Sequence, residues 1–329
     1  MYVIICSVLR LFVPYNLVVY SKMAEEHVPM MKAFLELSYD KPLDMILGEI
    51  EIPQVGPNQI KIAVKAAALN PVDGLRIHLQ SDKIFPVVVG FDVAGVVDDV
   101  GSAVSRFHVG DRVFGFNERT GIAPKTSGAV AEYCVVDADL MSILPENASF
   151  EEGAAVPIVL LTALQAMAGI KPGDRVFVSG GAGGVGIHAL QIAKSHFGAK
   201  EVATTASTTK IKYCQQYADI VVDYKTEDAG KTLKGWADFV FDTTKEVATG
   251  KVILKEGGLI RSIADFSDQE ISIFCQANHE QMEIVSNLLE KGKVKAMIDR
   301  VYPFEESMEA MEYQMSGRAM GKIIIKVSD

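Results

Sequence analysis

The stretch DRVFVSGGAGGVG, Asp174 to Gly186, decides how this chain reads. It opens with the β-branched and aromatic run Val176-Phe177-Val178 and turns on a cluster of glycines. It then continues into Val185–Phe197, a segment of helical length. Within the turn lies a GxGxxG pattern at Gly181, Gly183 and Gly186. Between a strand and a helix this pattern has a mechanical meaning. One glycine permits the tight turn, one lets the backbone approach a pyrophosphate, and the third lets helix and strand pack closely. The free N–H groups and positive dipole end of the helix then suit the phosphates. Gly181, Ala182, Gly183, Gly184, Val185 and Gly186 are therefore candidate dinucleotide-binding residues. A glycine turn without a ligand is the plain structural alternative.

Working outward, the strand-like runs EVATTA, DIVVDY, DFVFDT and GLIRSI alternate with helix-length segments, Glu280–Glu290 among them. Such alternation predicts an α/β unit with a parallel, doubly wound sheet over residues 153–295. Upstream, from Met31 to about Glu151, the chain is strand-rich: MKAFLEL, IKIAVKAAAL, VVVGFDVAGVVDDV and AVAEYCVV are separated by Pro and Gly turns. An irregular, partly barrel-like β domain is expected over 31–152. The end of the chain (296–329) adds VYPF, an amphipathic helix near Glu305–Gln314 and a last strand, KIIIKV. Met308, Met311 and Met315 recur at helical spacing, which reads as packing.

Composition narrows the partners. Lys plus Arg number 32 and Asp plus Glu 42 in 329 residues, a formal charge of −10 with no basic stripe. Nucleic acid and anionic membranes are poor partners for such a chain. The cysteines Cys6, Cys134, Cys214 and Cys275 stand singly, without a CxxC, as in a reduced intracellular protein. Cytoplasmic localisation is expected, with organelle targeting by the first 30 residues as the alternative. The apolar opening MYVIICSVLRLFVPYNLVVYSK is interrupted by Arg10, Pro14 and Asn16, so it is a poor bilayer span. It also lacks the basic start of a secretory signal. Residues 1 to about 22 are expected to be dispensable for folding and turnover.

A dinucleotide site for NAD places Asp or Glu about 20 residues beyond the turn, at the end of the second strand. Here that strand ends in Thr204-Thr205-Ala206 and Ser207-Thr208-Thr209-Lys210 follows. Hydroxyls with a lysine suit a phosphate, so NADPH is predicted over NADH, with Ser207 and Lys210 at its 2′-phosphate. Ser207 can equally cap the next helix while Lys210 stays solvated.

Together with Ala68-Leu69-Asn70-Pro71-Val72-Asp73, Gly90-Phe91-Asp92-Val93-Ala94-Gly95, Val109–Val113, Ala131-Glu132-Tyr133 and Leu161-Thr162-Ala163, these stretches resemble the medium-chain dehydrogenase/reductase superfamily. The resemblance runs from about Met31 to Val327 and lies in the zinc-free quinone oxidoreductase branch. It is strongest with plant-type enone (alkenal/one) oxidoreductases and chloroplast-envelope quinone oxidoreductase homologues, through Gly180–Gly186, Ala203–Lys210, Asp223–Asp228 and Arg318–Lys322. It implies a Rossmann-type domain beside a GroES-like catalytic domain, an active cleft between them, and a homodimer. Asn70, Asp73, Tyr133 and Thr162 would then lie near the nicotinamide as the catalytic candidates. Tyr224 would lie beside the adenosine, and Thr243 and Lys322 would join the cofactor residues. Asn-Pro-Val-Asp is also a good turn sequence by itself.

Zinc-dependent members of that superfamily carry Cys where this chain has Asn70 and Gly-His-Glu where it has Gly90-Phe91-Asp92. None of the six histidines forms a ligand-spaced pair, so no metal is expected. Without a Lewis acid, hydride delivery to an enone β-carbon or a quinone ring is favoured over alcohol oxidation. Three readings follow: a C=C reductase of enones, a quinone reductase, or a cofactor-binding protein with a non-catalytic role. Two departures from the related enone reductases stand out: Leu75 replaces a lysine, and Thr243-Thr244-Lys245 replaces a glycine-bearing loop.

Overall fold

The computed structural model describes residues 28–38, 43–75, 85–117 and 128–329, so the expectations for residues 1–22 lie outside the described residues. The first part contains β1 (Met30–Glu36), β2 (Met45–Glu51), β3 (Gln59–Leu69), the helical turn α1 (Pro71–Leu75), β4 (Val87–Val88), β5 (Asp92–Val100), β6 (Arg112–Phe116), β7 (Tyr133–Asp137) and β8 (Met141–Ile143). Two helices, α2 (Phe150–Ala155) and α3 (Pro157–Ala166), lead out of it. The alternating part follows as β9 (Arg175–Val178), α4 (Gly184–Ser195), β10 (Glu201–Ala206), α5 (Ile211–Cys214), β11 (Ile220–Asp223), α6 (Ala229–Thr232), β12 (Ala237–Asp242), α7 (Val247–Ile253) and β13 (Leu254–Ser262). The last elements are α8 (His279–Glu290), β14 (Ile298–Pro303), α9 (Ser307–Met315) and β15 (Lys322–Lys326). Among the described residues no helix is long and apolar enough to cross a membrane.

The alternating part forms a five-stranded sheet in the order β11-β10-β9-β12-β13, and its pairings are all parallel. The order reverses at β9, and the carboxyl ends beside such a reversal are where open α/β sheets bind ligands. β9 carries the glycine turn.

The other large sheet runs β14-β15-β3-β5-β6-β8, with β7 also on β3. The end of the chain thus returns to the sheet that β3 begins. β15 lies antiparallel on β3 with Ile323 opposite Leu69 and Lys326 opposite Ala66. Along β3 the burial alternates from Gln59 to Lys65 and is then continuous from Ala66 to Leu69, where both faces are covered. One apolar core spans both parts, from Ile62, Phe91 and Phe114 to Leu160, Ile187 and Val178.

One expected strand is in fact two. VVVGFDVAGVVDDV breaks at Gly90, whose φ of +97° sits in a region L-residues avoid, and a Cβ there would be 2.8 Å from Val130 Cγ2. β4 consequently pairs with β1 in a separate three-stranded sheet, while β5 pairs with β3 and β6. The kink sends Asp92 into the interior between the two parts.

On α4, the fully buried His188 ties those parts together. Its Nδ1 lies 2.7 Å from the Gly184 carbonyl, and its Nε2 accepts the Met297 N–H at 3.3 Å, which the neutral ring with Nδ1–H satisfies. Burial lowers its pKa from 6.5 to about 4. The folded state therefore resists a proton that the unfolded chain accepts. Stability is complete above pH 6.5 and is lost as the pH falls from 6.5 towards 4, by up to about 3 kcal/mol at roughly 1.4 kcal/mol per pKa unit. Urea unfolding at pH 7 and pH 4.5 should show this loss in the wild type and a smaller one in His188→Gln. Equal losses would remove His188 from the account.

Candidate active site

The glycine turn has the geometry its pattern implies. Gly180 (φ +63°) donates its N–H to Thr205 Oγ1 and Gly181 donates to the Thr205 carbonyl, both at 3.1 Å. A Cβ on Gly181 would stand 2.3 Å from Thr204 Oγ1, and one on Gly186 would stand 2.3 Å from the Gly180 carbonyl oxygen. Packing alone requires those two glycines. A Cβ on Gly183 would meet nothing nearer than the Gly180 oxygen at 3.5 Å, so its openness faces outward. No side chain caps α4, whose first turn is left with N–H groups directed at that space. A pyrophosphate fits this cradle, with Gly183, Gly184, Val185 and Gly186 as the residues to hold it.

Behind the turn, a buried carboxylate that sequence reasoning missed organises three strand ends. Asp242 Oδ1 accepts from Ser179 Oγ (2.9 Å), Thr244 N (3.2 Å) and Glu246 N (2.9 Å), while Oδ2 accepts from Ser262 Oγ (2.7 Å). Thr243 donates its N–H to Ser179 Oγ and its hydroxyl to the Ser179 carbonyl. Thr243 is thus tied to the floor of the glycine turn.

At the end of β10, Thr204 turns inward to the Val178 carbonyl (2.6 Å) and no carboxylate ends the strand. The nearest acid along the sheet edge, Asp223, is engaged by Thr208 Oγ1 (2.6 Å) and Lys225 N (3.0 Å). Ser207 makes no capping bond, so its hydroxyl is not spent in the way the alternative required. Lys210 is not simply solvated: its Nζ donates to the carbonyls of Arg318 (2.9 Å) and Ala319 (3.2 Å). This brings the exposed Arg318 beside the same segment. Arg318 was visible in the sequence only as part of a shared motif. Tyr224, at the end of β11, is exposed, with Lys225 over its ring.

The second cluster is buried and polar. Register places Lys322, the residue before Ile323 on β15, beside Asn70, the residue after Leu69 on β3. Lys322 Nζ donates to the Leu69 carbonyl (3.1 Å), to Asn70 Oδ1 and to Asp92 Oδ2 (3.0 Å). Asn70 Nδ2 in turn donates to Asp92 Oδ2 at 2.9 Å, and the other Asp92 oxygen accepts the Ile158 N–H at the start of α3 (2.8 Å). Asn70, Asp92 and Lys322 are 4%, 0% and 2% exposed. Asp73 accepts the Asn70 N–H at 2.6 Å, which holds the turn that aims the Asn70 amide. The two clusters touch, since a Cβ on Gly184 would be 3.2 Å from Lys322 Cδ.

Thr162, on α3 and 6% exposed, has Cys275 within hydrogen-bonding reach of its hydroxyl. Gln165, one turn along α3, holds that loop by exchanging two hydrogen bonds with the Gln276 backbone. Burial pushes the Cys275 thiol up to about 12, against a smaller opposing effect of Thr162, so it stays protonated at neutral pH. Tyr133 is not brought to this site. It pairs with Ala63 while Asp92 pairs with Ala68, five residues or about 17 Å further along β3. The Tyr133 ring packs instead against the small cluster of Met31, Ala33, Leu35, Val88 and Ala131, under Lys61.

A dinucleotide cradle at the reversal of a parallel sheet, set against a buried polar cluster of a mainly antiparallel domain, defines a nicotinamide-dependent oxidoreductase. The chain belongs to the medium-chain dehydrogenase/reductase superfamily. Residues 56–146 match the alcohol dehydrogenase GroES-like domain and residues 216–325 match the zinc-binding dehydrogenase family. The chain is 37% identical to the 2-methylene-furan-3-one reductase of Solanum lycopersicum, over 90% of this chain and 79% of that one. With the chloroplastic NADPH-dependent alkenal/one oxidoreductase of Arabidopsis thaliana it shares 33% identity over 92% and 81%. The structure of the quinone oxidoreductase from Coxiella burnetii superposes with a TM-score of 0.82 at 29% identity, covering 91% of this chain and all of that one. The zinc of the second family's name does not fit the donors here. Asn70 and Asp92 face the Lys322 ammonium, and no three His, Cys, Asp or Glu side chains among the described residues could hold a metal together.

Proposed function

We propose that this protein uses NADPH to reduce the carbon–carbon double bond of an α,β-unsaturated ketone or aldehyde, without zinc. The observation that carries the reading is the buried Asn70–Asp92–Lys322 cluster pressed against the glycine turn, with an ammonium between the groups that a metal would otherwise join. The two relatives named for enone and alkenal chemistry are the more similar in sequence, which supports a C=C substrate over a quinone. Reduced nicotinamide, when bound, supplies the hydride.

The residues divide the remaining work. All three Lys322 protons have acceptors inside the protein, so Lys322 passes none to a substrate. It balances the charge of Asp92 and fixes which end of the Asn70 amide faces the carboxylate. In this proposal the Thr162 hydroxyl donates to the carbonyl oxygen as negative charge grows there. The Cys275 thiol beside it stays protonated and is a poor nucleophile towards the electrophilic alkene. The α-carbon takes its proton from solvent. NADPH rather than NADH is favoured by the missing carboxylate at β10, the uncommitted Ser207 hydroxyl and the nearby Lys210 and Arg318 cations.

Cofactor consumption with a short enone and with a benzoquinone, each with NADPH and NADH, tests the reading. Turnover of the enone with NADPH is expected. Turnover confined to the quinone would move the assignment to quinone reduction, and tight NADPH binding without either turnover would indicate a binding role. Arg318→Ala should weaken NADPH roughly ten- to a hundredfold and leave NADH almost unchanged, the size expected for one hydrogen bond to a charged group.

A further inference from the structure

Five consecutive residues, Arg318 to Lys322, lead from α9 into β15, and each is held by a contact from elsewhere in the chain. Lys210 Nζ takes the carbonyls of Arg318 and Ala319. Tyr213 donates its hydroxyl to the Met320 carbonyl at 3.1 Å, and Asp299 Oδ2 accepts the Met320 N–H at 3.0 Å. Gly321 donates its N–H to the Ala182 carbonyl at 3.1 Å and bridges to Gly183. Lys322 ends on Leu69, Asn70 and Asp92. The strap therefore starts at the segment that receives the 2′ end of the cofactor, crosses the glycine turn and stops in the buried polar cluster. Extended, it spans at most about 17 Å.

The fit around it leaves little play. A Cβ on Gly321 would be 2.2 Å from the Met297 oxygen and 2.9 Å from the Tyr213 hydroxyl. Burial raises the Tyr213 pKa above its ordinary value, so the hydroxyl remains a donor throughout the accessible pH range. A shift of the carbonyls at 318–320 cannot be absorbed before it reaches Lys322, because Gly321 is pinned on both sides. We propose that the strap Arg318–Lys322 sets the placement of Lys322 from the 2′-phosphate segment, with Tyr213 as a positioning residue. This rests on the NADPH reading of that segment. Its consequence is that the segment binding the 2′-phosphate influences turnover as well as affinity.

Tyr213→Phe tests this, since it removes one hydroxyl and keeps the ring in the core. Amide exchange at Met320, Gly321 and Lys322 in the cofactor-free protein should accelerate about tenfold as the strap loosens. The kcat should fall roughly five- to tenfold, the effect of one ordinary hydrogen bond. The NADPH Kd from fluorescence titration and the melting temperature should stay close to wild type. Unchanged exchange at the strap, or a kcat loss matched by an equal loss in NADPH affinity or stability, would overturn the proposal. If Tyr213→Phe does not fold, Lys210→Met carries the exchange measurement alone, at Ala319 to Gly321: faster exchange is expected, and unchanged exchange would overturn the proposal. A wild-type preference for NADH, with faster strap exchange and lower kcat still seen in Tyr213→Phe, would defeat the NADPH reading while leaving the positioning role intact.

Discussion

Lys322→Met is expected to destabilise the protein by about 3–5 kcal/mol and to lower turnover by two orders of magnitude or more. The stability loss follows from what stays behind. Asp92 is fully buried, and without the ammonium its charge keeps only the Ile158 N–H and the Asn70 amide as partners. The activity loss follows from Asn70, whose oxygen loses the donor that orients it beside the cradle. Adding Asp92→Asn to Lys322→Met removes the stranded charge and should restore much of the stability without restoring turnover. Urea unfolding and steady-state assays of the two variants separate these effects. Full activity in Lys322→Met would show that the cluster is only a structural ion pair.

Gly183→Val should abolish cofactor binding, weakening NADPH by roughly a hundredfold or more, while leaving the melting temperature nearly unchanged. The two effects part because Gly183 has φ −75° and ψ 168°, comfortable for any residue, and because its Cβ would meet nothing of the protein closer than 3.5 Å. The branched side chain would fill only the space a pyrophosphate needs. The neighbouring substitutions behave oppositely. At Gly181 and Gly186 a Cβ would collide at 2.3 Å inside the protein, so valine there should prevent folding. Calorimetric melting together with NADPH fluorescence titration distinguishes the cases. A folded Gly183→Val that binds NADPH normally would remove the pyrophosphate from this turn.

Much of this was legible in the residues themselves. The parallel sheet and its glycine turn are written in neighbouring residues, by the change from strand to helix period and by three glycines with separate steric duties. The absent carboxylate at the end of β10 was equally local. Other features were hidden for identifiable reasons. β2 carries three charged or glycine positions in MILGEIE, which blur its alternation. The break at Gly90 depends on Val130, a residue 40 positions away in the chain, crowding its Cα. The role of Asp242 depends on β9, β12 and β13 ending side by side.

The candidate active site shows the same division. Asn70, Asp73 and Thr162 could be named from the resemblance of short stretches, and so could Lys322 as a residue near the cofactor. That Lys322 closes on Asn70 and Asp92, 252 and 230 residues away, could not be read from any of those stretches. Nor could the placement of Cys275 beside Thr162, or of Tyr133 some 17 Å along β3 from the polar cluster. Local periodicity and turn sterics are properties of adjacent residues, so the sequence alone determined the two-part architecture and the dinucleotide turn. Which residues meet in the buried cluster is decided by the register of β15 and β5 on β3. That register is set by side chains packing on both faces of the sheet, and only the assembled fold brings those faces together.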